Sequence, residues 1–299
     1  MSTVALPLVP ARLGRFVLRR FRPQVYAAYG VLWVLALEGS AVALQGTAWR
    51  PTGATAVRAV SVVLTLLFLR MLDEQKDLAH DRVHHPDRPL VTGAITAAEL
   101  RGAMAGAVVV VVALNALLSP VAALLALAPL GYALLLPVVE RLSAPVREGQ
   151  LLNLAVTYPV QVLVGAYVYL SLAVSGPVSA DWRALPLLGL CAGVFLHFEF
   201  ARKTAWESVP GDRLYSSALG PVAGAAAVLA PVAVAVLCDV VLFRPATVLG
   251  LLPCLAALLP AAAARRFLTA RRGTWPLPPA MGYIVVTYLA LVLQAVVLP

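Results

Sequence analysis

The stretch Thr55-Ala-Val-Arg58-Ala-Val-Ser-Val-Val-Leu-Thr-Leu-Leu-Phe-Leu-Arg70-Met-Leu-Asp73-Glu74-Gln-Lys76-Asp77-Leu-Ala-His80-Asp81-Arg82 joins a long apolar run to a densely charged one. Residues 55–72 are long and apolar enough to cross roughly 30 Å of hydrocarbon at about 1.5 Å per residue, whereas the chain from Asp73 onward belongs in water. Comparable runs recur near 24–46, 97–118, 120–138, 150–172, 183–202, 217–242, 246–264 and 278–298. Of the 299 residues 61% are hydrophobic and 12% charged, against about half and a quarter in soluble domains, so the main solvent is lipid. Ser119-Pro120 and Arg244-Pro245 divide closely spaced runs into separate helices, because proline interrupts a continuous one.

The expected fold is an all-α integral membrane protein of about nine transmembrane helices. Two four-helix pseudo-repeats plus a final helix would surround a central cavity. One domain, 1–299, then consists of a basic N-terminal segment (1–23), a first repeat (24–138), a second repeat (150–264) and a last helix (278–298). The N-terminal segment has no apolar core ending at a small-residue cleavage site, so the first span is expected to stay as an anchor.

Lysine and arginine flanking short loops stay on the cytoplasmic side. With the N-terminus inside, 19 basic residues fall on that side, and only Arg50, Arg58, Arg183 and Arg244 fall outside. The expected topology is a multi-pass protein of the cell membrane with a cytoplasmic N-terminus, an external C-terminus and a cytoplasmic site. The net charge of +9 is then matched to lipid head groups, not to nucleic acid. Cys191, Cys238 and Cys254 sit in apolar runs without metal-ligand or disulfide spacing.

Of 14 acidic residues, eight lie in two segments, each following an even-numbered span. In the first, Asp73, Asp77 and Asp81 recur every fourth residue and share one side of a helix. Their mutual repulsion is relieved either by Mg²⁺, which shares its oxygen ligands with substrate phosphates, or by solvation with Lys76, Arg82 and Arg88 as screening charges. The second segment runs Glu199-Phe-Ala-Arg202-Lys203-Thr-Ala-Trp206-Glu207 and continues through Gly211-Asp212-Arg213-Leu-Tyr215. Glu199 and Lys203 are spaced to pair on a helix, and Glu207 and Asp212 could be ordinary loop residues. Asn153, Gln161, Glu38 and His197 are polar groups at lipid depth that need a partner or a function.

The first segment resembles the diphosphate motif of the UbiA superfamily of intramembrane prenyltransferases, which also includes terpene cyclases. That pattern, Asn-xxx-Asp-xxx-Asp followed by Arg-Pro-Leu-xx-Gly, is met by Asp73, Asp77, Asp81 and Arg88-Pro89-Leu90-Val-Thr-Gly93, with Asp73 in place of Asn. Tyr158-Pro159-Val-Gln161, with Gly165 beyond, is similar to the family's fifth-helix Pro-x-Gln and Gly. The family's second Asp-xxx-Asp reads Glu199-Phe-Ala-Arg202-Lys203 here. The resemblance implies a Mg²⁺-dependent enzyme, with two or more ions, acting on an allylic polyprenyl diphosphate. Asp73, Asp77 and Asp81 would hold metal, as would Glu199 with Glu207 or Asp212, and Lys76, Arg82, Arg88, Arg202 and Lys203 would neutralise diphosphate. Tyr158, Gln161, Asn153 and Tyr215 would contact substrate.

Ionisation leaves a carbocation that aromatic faces stabilise, and Tyr158, Tyr167, Tyr169, Phe195, Phe198 and Phe200 fall in the helices leading to or facing the second segment, where they would either do so or serve as ordinary packing. Transfer to a small aromatic or lipid acceptor is the first expectation, acceptor-free cyclisation the second, and transport a third.

Overall fold

The computed structural model describes residues 9–176, 178–208, 212–244 and 248–297, apart from the side chains of 248 and 249. The first eight residues, Gly211, Pro245 and Leu298 lie outside the described residues. Among those described, nine helices are long and apolar enough to span a membrane: Pro23–Ala43, Gly53–Lys76, Ala97–Ala116, Pro120–Leu142, Gln150–Ser175, Ala184–Ala201, Pro221–Phe243, Gly250–Ala270 and Leu277–Val297. They match the nine apolar runs one for one. The chain is a multi-pass, all-α membrane protein.

Local chemistry sets the boundaries. Thr52 and Thr55 form a reciprocal capping box that starts the second span, and Thr96 with Glu99 does the same for the third. Ser119 caps the fourth by accepting from the Ala122 N–H at 3.0 Å, with Pro120 at the first helical position. The break expected at Ser119-Pro120 is therefore present, and Arg244 ends the seventh span in a left-handed conformation (φ 42°).

Three expectations change. The fifth span is two helices, Gln150–Thr157 and Pro159–Ser175, because Pro159 lacks the N–H that would continue the ladder. The eighth is likewise divided, into Val248–Ala256 and Leu258–Ala270. The basic N-terminal segment is ordered over its described part: helix Val9–Phe16 leads into a wider turn, Val17–Phe21, whose Phe16 and Phe21 are buried. Arg12 pairs there with Glu99, and Arg20 with Glu74 at 2.6 Å, pinning the segment to the second and third spans.

Consecutive spans pack side by side, and the ninth closes the circle against the first, sixth and eighth. Small residues allow the closest approaches. A Cβ on Gly39 would lie 2.8 Å from the Ala295 Cβ, and one on Gly193 would lie 2.6 Å from the Pro231 carbonyl oxygen. At the end of the bundle away from the acidic segments, Arg58 binds Glu38 at 3.0 Å, the Ser171 hydroxyl at 2.9 Å and the Ser175 hydroxyl at 2.7 Å. Glu38 also accepts from Thr55 at 2.5 Å and Trp49 at 3.3 Å. Arg58, counted on the outer side at the start of the second span, joins the first, second and fifth spans inside the protein.

Candidate active site

The second span continues as a helix past the point where its hydrophobicity ends. The Asp77 N–H bonds the Asp73 carbonyl and the Asp81 N–H bonds the Asp77 carbonyl, both at 2.9 Å, so helix Gly53–Lys76 runs through a slight bend at Asp77 into Leu78–His84. The three aspartates follow one another a turn apart, as their spacing predicts. Their surroundings differ. Asp73 is exposed, and its carboxylate makes no hydrogen bond or ion pair among the described residues. Asp77 meets Arg213 at 3.4 Å. Asp81 is 2% exposed and paired with Arg88, with its Oδ1 buried and unpartnered.

The Arg88 pairing fixes the turn that follows. The Arg88 carbonyl accepts from the Thr92 N–H at 2.9 Å and the Pro89 carbonyl from the Ile95 N–H at 3.2 Å. Gly93 closes the turn at φ 74°, a conformation that favours glycine. The Arg-Pro-Leu-xx-Gly sequence is thus a folded turn clamped to Asp81.

Across the bundle, the sixth span delivers Glu199, 8% exposed, into a ring of donors: Arg202 Nε at 2.6 Å, Tyr215 hydroxyl at 2.9 Å and Lys203 Nζ at 3.0 Å. The Tyr215 N–H returns to the Lys203 carbonyl at 2.9 Å, folding the segment onto itself. Burial and the adjoining Glu199 carboxylate both push the Tyr215 hydroxyl well above its ordinary range, so it remains a donor.

The two segments meet. Besides the Asp77–Arg213 contact, the Arg202 charge is near enough to act on Asp73, together with Arg70 and Lys76. Lys76 binds Glu140 at 3.0 Å, and Glu140 also accepts from Asn153 at 2.9 Å. Glu140 and Arg213 were not among the expected site residues; the only signal for them was their position at the same ends of the bundle. His80 stacks on His84 at 4.3 Å, and partial withdrawal from water with the neighbouring Arg213 and His84 holds its pKa below the usual histidine value.

Other expected residues stand apart. Arg82 is exposed. Glu207 is exposed beside Trp206, whose N–H bonds the Gly273 carbonyl at 2.8 Å. Asp212 is exposed, next to Arg213. Asn153 is engaged by Glu140, Tyr158 gives its hydroxyl to the Ala192 carbonyl, and the Gln161 Oε1 is buried without a partner.

Among the described residues no three of His, Cys, Asp and Glu gather closely enough to cage a metal ion. A Mg²⁺ ion shared with phosphate oxygens needs only one or two protein carboxylates. Asp73 fits best, because no protein donor competes for it, with Asp77 one turn on. Arg88 holds one oxygen of Asp81 and leaves its Oδ1 without a protein donor. Glu199 already accepts three donors, so it fits as the anchor of Arg202 and Lys203 better than as a metal ligand.

Below this polar layer the rings turn inward. Tyr29 of the first span faces Phe195 of the sixth at 5.4 Å and Tyr288 of the ninth at 6.2 Å. Phe195 in turn faces Tyr158 of the fifth at 6.5 Å and Phe198 at 6.4 Å. Tyr29, Tyr158, Phe195 and Phe198 remain partly exposed although they face one another across the bundle. Tyr167 bonds Asn115 at 2.8 Å and Tyr169 the Ser179 carbonyl at 3.3 Å; both are core residues away from these rings. Phe200 packs on Tyr215.

Fold and site together define a helical membrane protein, with nine spans among the described residues and opposed carboxylates and basic groups above a cluster of facing aromatic rings. No family model and no curated protein matches the sequence. Solved structures do. A UbiA homologue from Aeropyrum pernix K1 superposes with a TM-score of 0.57 at 19% identity, covering 88% of this chain and 95% of that one. A digeranylgeranylglyceryl phosphate synthase gives 0.61 at 14% identity, over 96% and 99% of the two chains. A UbiA homologue from Archaeoglobus fulgidus, bound to GPP and Mg²⁺, gives 0.56 at 16% identity over 94% and 99%. The chain has the UbiA fold.

Proposed function

We propose that this protein is a UbiA-superfamily enzyme that ionises an allylic prenyl diphosphate with Mg²⁺ and transfers the prenyl group to a small aromatic or lipid acceptor. The observation that carries this is the juxtaposition of Asp73, whose side chain has no protein donor, and Asp77 with Arg202 and Arg213 above the facing rings of Tyr29, Tyr158, Phe195 and Phe198. The Archaeoglobus homologue of the same fold, bound to GPP and Mg²⁺, supports the substrate class.

Asp73 and Asp77 are the residues to hold the ion, whose contribution when bound is Lewis-acid stabilisation of the leaving diphosphate. Arg202, Lys203 and Arg213 supply positive charge where negative charge grows, and Glu199 with Tyr215 fixes the first two in place. Asp81 and Arg88 set the turn that frames the mouth. The apolar helices around these rings would keep water from the cation and accept the hydrocarbon tail. The motif repeated after the second and sixth spans supports two four-helix repeats, and the 19 to 4 distribution of basic residues supports a cytoplasmic site.

The partly exposed rings of Tyr29, Tyr158, Phe195 and Phe198 also favour a second reading, in which the substrate's own double bonds capture a ring-stabilised cation. Incubating purified protein with Mg²⁺ and allylic diphosphates, with and without acceptors, and analysing extracts by mass spectrometry separates them. A prenylated acceptor supports transfer, cyclic hydrocarbon without acceptor supports cyclisation, and no diphosphate release under any condition refutes both.

A further inference from the structure

A cavity of about 180 Å³ lies between the N-terminal segment, helix Val9–Phe16 with its wider turn Val17–Phe21, and the turn that begins at Arg88. It is far larger than the roughly 10–15 Å³ that admits one water. Its lining is of two kinds. Phe16, Pro89 and Ile95 are buried and apolar, whereas Arg12, Arg15 and Arg19 supply three positive charges. Neither Asp73, Asp77, Glu199 nor Arg202 borders it.

Most of this charge is uncompensated. Arg12 pairs with Glu99, which also accepts from the Thr96 N–H at 2.8 Å and the Thr96 hydroxyl at 2.9 Å. The Arg12 Nε is buried without a partner. Arg15 gives its Nε to the Ala11 carbonyl at 3.3 Å and meets no carboxylate among the described residues. Arg19 makes no side-chain hydrogen bond or ion pair among them. Steps of three and four residues set the three arginines toward one side of the segment, where like charges repel and a bound anion would relieve the repulsion.

Floor and level select the anion. The Arg12–Glu99 pair fixes the segment where the third span begins, so the cavity lies at the membrane surface. Leu18, beside Arg19, is 61% exposed, as suits a segment lying between head groups and acyl chains. The planar fork of arginine matches phosphate oxygens. We propose that this cavity binds a phosphate group of net negative charge, and that its apolar floor makes a phospholipid head group the source in preference to free phosphate. The occupant would rest on Pro89 and Ile95 and so steady the turn whose Arg88 holds Asp81.

The test is native mass spectrometry of the purified full-length protein in neutral detergent, with dioleoylphosphatidylglycerol, dioleoylphosphatidylcholine or inorganic phosphate added. Phosphatidylglycerol should be retained in preference to phosphatidylcholine, and Arg15→Ala/Arg19→Ala should weaken the first-bound molecule roughly 10–30-fold, the scale of two arginines at an anionic surface. Arg271→Ala/Arg272→Ala removes two exposed arginines at the end of the eighth span and should leave that affinity unchanged. In the wild type, phosphatidylglycerol should also slow amide exchange over residues 89–95. Equal retention of the two lipids overturns the site. So does an Arg15/Arg19 variant that binds as the wild type does, or an equal loss in both double variants. Inorganic phosphate bound as tightly as phosphatidylglycerol overturns the lipid source, and unaltered exchange over 89–95 overturns the contact with the turn. If Arg15→Ala/Arg19→Ala does not fold, the wild-type lipid preference and exchange decide.

Discussion

Removing Arg58 should cost stability without changing the chemistry per folded molecule. Its side chain is 1% exposed and that of Glu38 3% exposed, at the end of the bundle away from the charged segments. Arg58→Ala leaves a buried carboxylate with only the Thr55 and Trp49 donors, and strips Ser171 and Ser175 of the guanidinium. Breaking a buried pair in this way costs about 3–5 kcal/mol, because the remaining charge is uncompensated. For a chain of this size that corresponds to roughly 5–10 °C in thermal midpoint. Replacing both partners by leucine removes the charge and should recover at least half of the loss. The assay is thermal unfolding in detergent of wild type, Arg58→Ala and Glu38→Leu/Arg58→Leu, with diphosphate release normalised to monodisperse protein. A shift below about 1 °C for the single variant would refute the reasoning. So would a double variant less stable than the single one.

Three further outcomes follow from the packing and the site. Gly193→Ala places a Cβ against the Pro231 carbonyl and should destabilise the sixth and seventh spans by about 1–3 kcal/mol, read as a lower thermal midpoint. The raised pKa of Tyr215 means that the unfolded chain loses its proton first as pH rises, so this contribution is complete below about pH 10 and is lost above it. Tyr215→Phe should flatten the fall in thermal midpoint above about pH 10, the ordinary tyrosine pKa. Arg88→Ala leaves Asp81 buried and unpaired, and should loosen the Arg88–Gly93 turn, seen as faster amide exchange at Thr92 and Ile95.

The architecture was legible because span length and hydropathy act locally: each apolar run became a span, and Ser119-Pro120 and Thr96-Ala-Ala-Glu99 carried their own caps. Division of the fifth span was written in Pro159, at a position read only for its resemblance to a family motif. Among the site residues, the helical stacking of Asp73, Asp77 and Asp81 followed from spacing alone. Which of them is free did not, because that depends on Arg88 and Arg213 arriving from a turn and from the far side of the bundle. Glu38 looked functional as an acid at lipid depth, yet its partners lie 11, 17 and 20 residues away and bind it as a structural group. Glu140 escaped notice because a single acid at a helix end has no pattern until Lys76 and Asn153 converge on it.

The account turns on Asp73 as the carboxylate available to Mg²⁺ and diphosphate. Its most direct test is Mg²⁺-dependent release of diphosphate from a short allylic diphosphate by wild type and Asp73→Ala, compared at equal amounts of monodisperse protein. The prediction is Mg²⁺-dependent release by wild type and a fall of at least about 100-fold in kcat for the variant, the scale of losing one preorganised charge-stabilising group. Release by Asp73→Ala at the wild-type rate would contradict the account.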